Sequence, residues 1–437
     1  MNHLPRASTS RRDFLRTTAA ATLAGMGAGS VVNNAANSLA ADPKPSTGVR
    51  SRKQPVAIAM WDFSWLERHY PGGEFENWDK VIDELVARGY NAIRFDVFPA
   101  LVAPEPDGKI LETYTLAKSD WKPALWGHQY TTQINPRQAL KEFIPRCLDR
   151  GLLLGLSTWF MRAEAKKIEG LDGFVRVWDQ TLKFLKENNL LHNIYYVDLL
   201  NEYPLFSGFS WLRGHMDAQK QKRAQEAKAA GANMWQAKMN DYNDEKSRGF
   251  YIGFANDAIE RLQKSWPGLD FLFSQTNHYN ADWTAMSPSR TAAIDLHDWF
   301  VMDSLLTNGT GYWENIHSMA ANDLQFAHVQ ETLMKNWNAH KAALVENMDK
   351  HMANVAAVGK KYGKPLGNTE GWGPINWMDH PALNWDLAKE AGEICSKLAR
   401  KHGYRFICTS NFTHPQFPRL WADVTWHQRL TSIIRNG

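Results

Sequence analysis

Much of what announces a function at a glance is missing from this chain of 437 residues. It has three cysteines, Cys147, Cys395 and Cys408, an odd number with no metal-ligand spacing. A disulfide framework and a cysteine-built zinc centre are therefore not expected, and buried thiols are the plainer reading; Cys395 and Cys408 are the one pair close in sequence. No G-x-G-x-x-G turn follows the first strand-like run, which weakens a dinucleotide-binding doubly wound sheet. Neither H-E-x-x-H nor G-x-S-x-G occurs, so the usual zinc and serine hydrolase motifs are absent. A charge field of one sign is lacking too. The formal net charge is +4, of which the first 40 residues hold +3 (Arg6, Arg11, Arg12 and Arg16 against Asp13), leaving about +1. Nucleic acid and anionic membranes are not expected partners of so neutral a body.

The amino terminus has an order of its own. Ser10-Arg11-Arg12-Asp13-Phe14-Leu15-Arg16 precedes a small-residue, mildly apolar stretch from Thr17 to Val32, and Ser38-Leu39-Ala40 offers small residues at a cleavage site. The stretch is too short and too rich in Ala, Gly and Thr to span a bilayer, and the pattern predicts a twin-arginine export signal. Residues 1–40 are read as the cleaved signal, 41–54 as a linker and 55–437 as the catalytic domain, periplasmic or extracellular, with no membrane attachment after signal removal. The twin-arginine route carries proteins already folded, which suits a fold independent of disulfides.

Beyond residue 55, short apolar runs alternate with amphipathic helical stretches about eight times, which predicts βα units around a parallel sheet. The strands are expected at Pro55–Met60, Asn91–Val97, Leu152–Ser157, Ile194–Leu200, Asp270–Ser274, Ala292–Leu296, Pro365–Asn368 and Arg405–Thr409. Helices are expected at Trp78–Arg88, Pro136–Arg150, Leu171–Glu187, around Tyr251–Trp266, and at His340–Lys361, Leu387–His402 and Thr425–Arg435. Asp217–Ala230, rich in Gln, Lys and Ala, reads as a solvated helix. With no interior linker, the fold class predicted is α/β, a single (β/α)8 TIM barrel with long βα-loop insertions at Pro99–Asn135 and Tyr203–Asp241; an open doubly wound sheet is the alternative.

Two runs then single out a site. Leu199-Leu200-Asn201-Glu202 follows the apolar Ile194-Tyr195-Tyr196-Val197, and Asn368-Thr369-Glu370-Gly371-Trp372 follows Lys364-Pro365-Leu366. Each puts a glutamate where a buried strand surfaces, and two facing carboxyl groups are what glycosidic bond cleavage requires. Tryptophan is abundant, 19 of 437 residues, and Trp61, Trp159, Trp299 and Trp372 fall at strand exits, where a flat ring suits the apolar face of a pyranose.

Asn201-Glu202 after the fourth strand and Glu370 after the seventh resemble clan A of the glycoside hydrolases, most closely the cellulase-like family 5 group. The resemblance covers the whole domain as topology and is confined to the strand ends at residue level. It implies a retaining mechanism with Glu202 as acid/base and Glu370 as nucleophile, acting on a carbohydrate substrate without a cofactor or metal. It further implies that Arg94, in Ala92-Ile93-Arg94-Phe95-Asp96, holds the nucleophile ionised, the alternative being an ion pair with Asp96. Asn201 takes the sugar 2-hydroxyl, and His297, in Leu296-His297-Asp298-Trp299, binds substrate. Trp299 stands where the family has a tyrosine. Tyr279 after the fifth strand is a candidate for the missing hydroxyl, Trp159 for sugar stacking, and Phe412 or Trp421 for the strand-eight aromatic platform. Two weaker readings remain open: convergence of His278, His297 and Asp298 on a metal, and a non-catalytic sugar-binding barrel, favoured by Trp299. Oligomeric state, sugar and linkage are not legible.

Overall fold

The computed structural model describes residues 47–116, 131–160, 165, 167–204, 208–212, 222, 225–226, 229, 245–276, 290–315, 322–373 and 380–437. The expected export signal, His278 and Tyr279 lie outside the described residues. So does most of the expected solvated helix, whose described positions 222, 225–226 and 229 are helical and exposed.

Eight strand positions occur in chain order: β1 (Val56–Asp62), β2 (Ala92–Asp96), β3 (Leu153–Ser157), β4 (Ile194–Asp198), β5 (Phe271–Leu272, resuming at Gln275–Thr276), β6 (Ile294–His297), β7 (Leu366–Asn368) and β8 (Phe406–Cys408). All pair in parallel, and the sheet runs β5-β4-β3-β2-β1-β8-β7-β6-β5. Its two edges are the two halves of β5: Phe271 pairs with Val197 of β4, and Thr276 with His297 of β6. A sheet whose edges share one segment is closed on itself. The fold is TIM-barrel-like α/β, and the open doubly wound alternative is excluded, because strand neighbours follow chain order around the ring.

Among the described residues, seven helices longer than four residues accompany the strands: α1 (Trp78–Ala87), α2 (Pro136–Asp149), α3 (Gly170–Glu187), α4 (Glu245–Ser265), α5 (Asp323–Tyr362), α6 (Trp385–Lys401) and α7 (Val424–Asn436). Asn77, Asn135, Asn322, Asn384 and Asp423 cap five of them, each side chain accepting from the backbone N–H three residues on. Each such cap contributes about 1 kcal/mol. Helix α3 buries Phe174, Val177, Trp178, Leu182 and Leu185 on one stripe. Helix α5 begins well before the expected His340, because the Asn322 cap starts it and Phe326, Val329, Leu333 and Trp337 continue its buried face. Between Pro99 and Asn135 the chain forms a short helix, Pro99–Val102, and an antiparallel ribbon, Tyr114–Leu116 with Thr132–Ile134.

The barrel interior is filled by large rings and made possible by missing side chains. Tyr196 and Phe406 have ring centroids 5.7 Å apart. A Cβ on Gly155 would lie 2.5 Å from the Tyr196 ring, and one on Gly367 would lie 1.8 Å from the Phe406 ring. Close packing leaves no alternative to glycine at these two places. Within the expected linker 41–54, residues 47–50 lie against the N-terminal ends of the strands. Thr47 Oγ1 donates to the Ile194 carbonyl (3.2 Å), Val49 N to that of Tyr195 (2.8 Å), and Arg50 pairs with Asp270.

Candidate active site

Kinked backbone turns the chain at four successive strand exits. Asp62, Phe98, Phe160 and Glu202 have φ of 41°, 50°, 48° and 49°, left-handed values for residues that carry a Cβ. Each costs on the order of 1–3 kcal/mol and persists only where surrounding bonds over-determine it. Around Glu202 those bonds are visible. Asn201 N donates to the Thr158 carbonyl (2.8 Å), Glu202 N to Ser274 Oγ (3.0 Å), and Tyr203 N to the Ser274 carbonyl (2.9 Å). Ser274 sits at the break between the halves of β5, its own N–H donating to Asp198 Oδ1 at 2.8 Å. The break in β5 thus serves to aim the strand-four glutamate.

Arg94 projects from β2 into the barrel and is fully buried. Its Nη2 donates to Glu370 Oε2 and to Asp62 Oδ1, both at 2.8 Å, and its Nη1 donates to Thr369 Oγ1 (2.9 Å) and His297 Nε2 (3.2 Å). Burial opposes the guanidinium charge, and Asp62 and Glu370 hold it charged, raising its pKa. The ion pair with Asp96, the alternative read from the sequence, is replaced by one with Asp62. Asp96 instead accepts backbone N–H groups of Phe98 (2.7 Å) and Trp159 (3.1 Å), and burial pushes its pKa up to about 7.

His297 links the two glutamates. Its Nδ1 lies 3.0 Å from Glu202 Oε1 and 3.6 Å from Glu370 Oε2. Burial lowers its pKa to about 3, so the ring is neutral at ordinary pH. Arg94 can only donate, which makes Nε2 the acceptor and assigns the proton to Nδ1, whose N–H then points at Glu202. One carboxyl oxygen of Glu202, one of Glu370 and a His297 nitrogen all lie within 4.8 Å of one another, and the two glutamates are only 4% and 2% exposed. Burial first, then the Glu202 carboxyl, push the pKa of Glu370 well up, against the pull of Arg94. Two such carboxyls titrate as a pair that holds one proton above the ordinary carboxylate range.

The trio of Glu202, His297 and Glu370 has donor atoms of metal-ligand type, but the Arg94 guanidinium already supplies a positive charge in contact with two of them. Asp298 does not converge with His297: its Oδ1 accepts from His351 Nε2 on α5 at 2.9 Å.

Asn201 is buried, its Oδ1 accepting from Ser274 Oγ (3.2 Å), while its Nδ2 has no partner among the described residues. Trp159 is 7% exposed, with its indole N–H donated to Asp62 Oδ2 at 3.0 Å. Trp61, Trp299 and Trp372 are more deeply buried, and the indoles of Trp61 and Trp372 donate to the carbonyls of Thr413 (2.9 Å) and Cys408 (3.1 Å). Trp299 pairs through its backbone with Trp372, and the described partners of Glu370 are Arg94 and His297. Neither candidate for the strand-eight platform is one. Phe412 packs against the rings of Trp385 and Phe417. Trp421 lies under Arg88 at 4.0 Å and donates to Glu84 of α1 (2.8 Å), because Pro418–Trp421 leads the chain out of the mouth towards α7.

Sequence reasoning missed Asp62 and Thr369. Thr369 Oγ1 joins Arg94 to Asp295 (2.7 Å), and Asp62 joins Arg94 to Trp159. The Trp-Asp pair closing the first strand-like run was the available signal for Asp62.

A closed parallel barrel with two carboxyls and an arginine converging at its C-terminal mouth defines the glycoside hydrolase-like class of TIM-barrel protein. The family model described as cellulase-like, sugar-binding cellulase-like, matches residues 58–435, and the chain belongs to that family. The resemblance read from the strand-end motifs is thereby met. Among solved structures, a protein from Parabacteroides distasonis ATCC 8503, provisionally described as a glycoside hydrolase, is 29% identical. It covers 88% of this chain and 94% of its own with a TM-score of 0.70. A tri-modular family 5 (subfamily 4) endo-β-1,4-glucanase from Bacillus licheniformis is 13% identical over 87% of this chain and 60% of its own, at a TM-score of 0.48. Cel5A of Thermotoga maritima, solved with mannotriose, is 12% identical over 88% and 99%, at 0.46. No curated protein matches the chain.

Proposed function

We propose that this chain is a retaining β-glycosidase or β-glycanase in which Glu202 is the acid/base and Glu370 the nucleophile. The observation that carries this reading is the approach of the two carboxyls to within 4.8 Å around His297. Retaining enzymes hold theirs about 5–5.5 Å apart, whereas inverting ones leave about 6.5–9.5 Å for a water. Glu370 attacks the anomeric carbon as the departing oxygen takes the proton of Glu202. The glycosyl ester on Glu370 is then cleaved by a water that returns its proton to Glu202.

The surroundings divide the labour. Arg94 is ion-paired with Glu370 and not with Glu202, so the charge of the pair belongs on Glu370 and its proton on Glu202. The neutral His297 donates to Oε1 of Glu202 and so fixes the carboxyl that passes its proton to the leaving group. The Nδ2 of Asn201, without a partner among the described residues, suits the sugar 2-hydroxyl, a bond that strengthens in the transition state. Arg94 and His297 support Glu370 where a tyrosine hydroxyl is replaced by Trp299. Export by the twin-arginine route, from the Ser10–Arg16 run, places this activity outside the cytoplasm. Arg11→Lys/Arg12→Lys protein should then stay inside, and equal export of that variant refutes the route.

The family description, sugar-binding, and Trp299 favour one other reading, a barrel that binds sugar without cleaving it. A screen of residues 41–437 against aryl β-glycosides and β-linked polysaccharides separates the two. With an activated leaving group, Glu202→Ala should form the glycosyl-enzyme and stall, and azide should rescue it with retained configuration. Glu370→Ala, if rescued, should give the inverted azide product. Sugar binding with no turnover on any β-glycoside selects the binding reading; inversion from the Glu202 variant reverses the roles.

A further inference from the structure

A second concentration of buried polar groups lies at the exit of β8. Thr409, Ser410, Asn411, Thr413 and His414 are all buried there. Three of these side chains have clear structural employment. Thr409 Oγ1 bonds Tyr90 Oη, Ser410 Oγ accepts from Phe412 N (3.2 Å), and Thr413 Oγ1 accepts from Met60 N (3.2 Å). Asn411 differs. It is completely buried, and among the described residues neither its Oδ1 nor its Nδ2 has a hydrogen-bond partner. Gln416, whose Nε2 is anchored on Ser64 Oγ (2.9 Å), likewise has a buried Oε1 with no partner among the described residues.

The position of Asn411 gives this its meaning. The β8 exit is tied on one side to β1, through Thr413 to Met60 and Trp61, and on the other to β7, through Cys408 Sγ to Asn368 Oδ1 (3.5 Å). Those two strands deliver Asp62 and Glu370, the two carboxylates that grip Arg94. A buried amide that is unpaired at both ends is costly to keep, and an isosteric apolar side chain would avoid the cost. A sugar hydroxyl both donates and accepts, so neighbouring hydroxyls on one ring satisfy the two ends of a primary amide together. Neither Phe412 nor Trp421, the two candidates for an aromatic platform at this exit, supplies one, since both are packed elsewhere.

We propose that Asn411 is a specificity-determining residue that hydrogen-bonds adjacent hydroxyls of the bound sugar, so that the site selects its substrate by hydroxyl stereochemistry at this wall rather than by stacking. The inference rests on the glycosidase reading above and deepens it.

The test uses Asn411→Leu, similar in size and without polar atoms, and monodeoxy analogues of whichever aryl β-glycoside the parent accepts. The unliganded variant should melt at the parent's temperature or above, because no protein hydrogen bond is lost. Its KM should rise by about tenfold or more, as expected for polar sugar groups left unpaired. The parent should discriminate against one or two particular deoxy sugars, and the variant should be indifferent to those same positions. Should the variant fail to fold, Asn411→Asp, which keeps the acceptor and loses the donor, should lose discrimination at one hydroxyl only. Unchanged KM and an unchanged deoxy profile in the folded variant overturn the proposal while leaving the catalytic reading intact. Calorimetry of the same glycosides on Glu370→Gln protein covers the converse. Binding there that weakens on adding Asn411→Leu, in a protein whose parent shows no turnover, supports the proposal and removes catalysis. No binding to any of the glycosides overturns both.

Discussion

Replacing Glu202 with Gln tests the proton-sharing pair at its centre. The substitution keeps an oxygen to accept the His297 Nδ1–H and removes the proton that titrates. In the parent, the upper of the pair's two titration steps takes the second proton away while a carboxylate already stands within 4.8 Å. At that distance, with an effective dielectric constant of about 20, two unit charges repel by about 3.5 kcal/mol. Glu370 in the variant no longer feels this repulsion and keeps the attraction of Arg94, so it should titrate well below the parent's upper step. Carboxyl 13C spectra of glutamate-labelled protein, recorded against pH, give both values. The activity profile on a glycoside with a good leaving group should retain its acid limb and lose its alkaline limb, since no second proton remains to be lost. A surviving step within about half a unit of the parent's upper one would mean that the carboxyls do not share a proton. The assignment of roles would fall with it.

Three further outcomes follow from the same geometry. Asp96 is held protonated to about pH 7 against 3.8 unfolded, so its contribution to stability is present below pH 4 and lost as pH rises through 7. Asp96→Asn removes that loss, and urea unfolding should show the variant gaining on the parent by up to about 4 kcal/mol between pH 4 and 8; a pH-independent difference contradicts the assignment. Trp159→Phe strips Asp62 Oδ2 of its donor and should cost about 1–3 kcal/mol in equilibrium unfolding, whereas an unaffected midpoint means that Asp62 has another partner. Gly367→Ala drives a Cβ into the Phe406 ring and should lower stability by about 3 kcal/mol or more, with Phe406→Leu recovering part of it; additive losses would show that the two positions do not share one space.

The periodicity of the chain was enough to determine the element order and the α/β class with a parallel sheet. Apolar runs of strand length alternate with stripes at helical spacing, and Asn or Asp stands at the start of five helices because an N-cap is a local bond between neighbours in sequence. The two glutamates were legible for a similar reason: each follows an apolar run, so its place at a strand exit needs no knowledge of the rest, whereas Arg94 stands inside β2 and was singled out by the family resemblance. Which groups then meet was decided only in three dimensions. Arg94 takes Asp62, from 32 residues earlier in the chain, in preference to Asp96 two residues on. In β2 the intervening Phe95 faces outward, and Asp96 is turned to the N–H groups of Phe98 and Trp159. Closure through a split β5 exists only as pairing between distant segments, and that split is what brings Ser274 under Glu202. The tryptophans mark the same boundary. Composition shows an excess of rings, but whether an indole faces a sugar or donates its N–H to a buried carbonyl depends on what the folded barrel sets beside it, and no spacing along the chain encodes that.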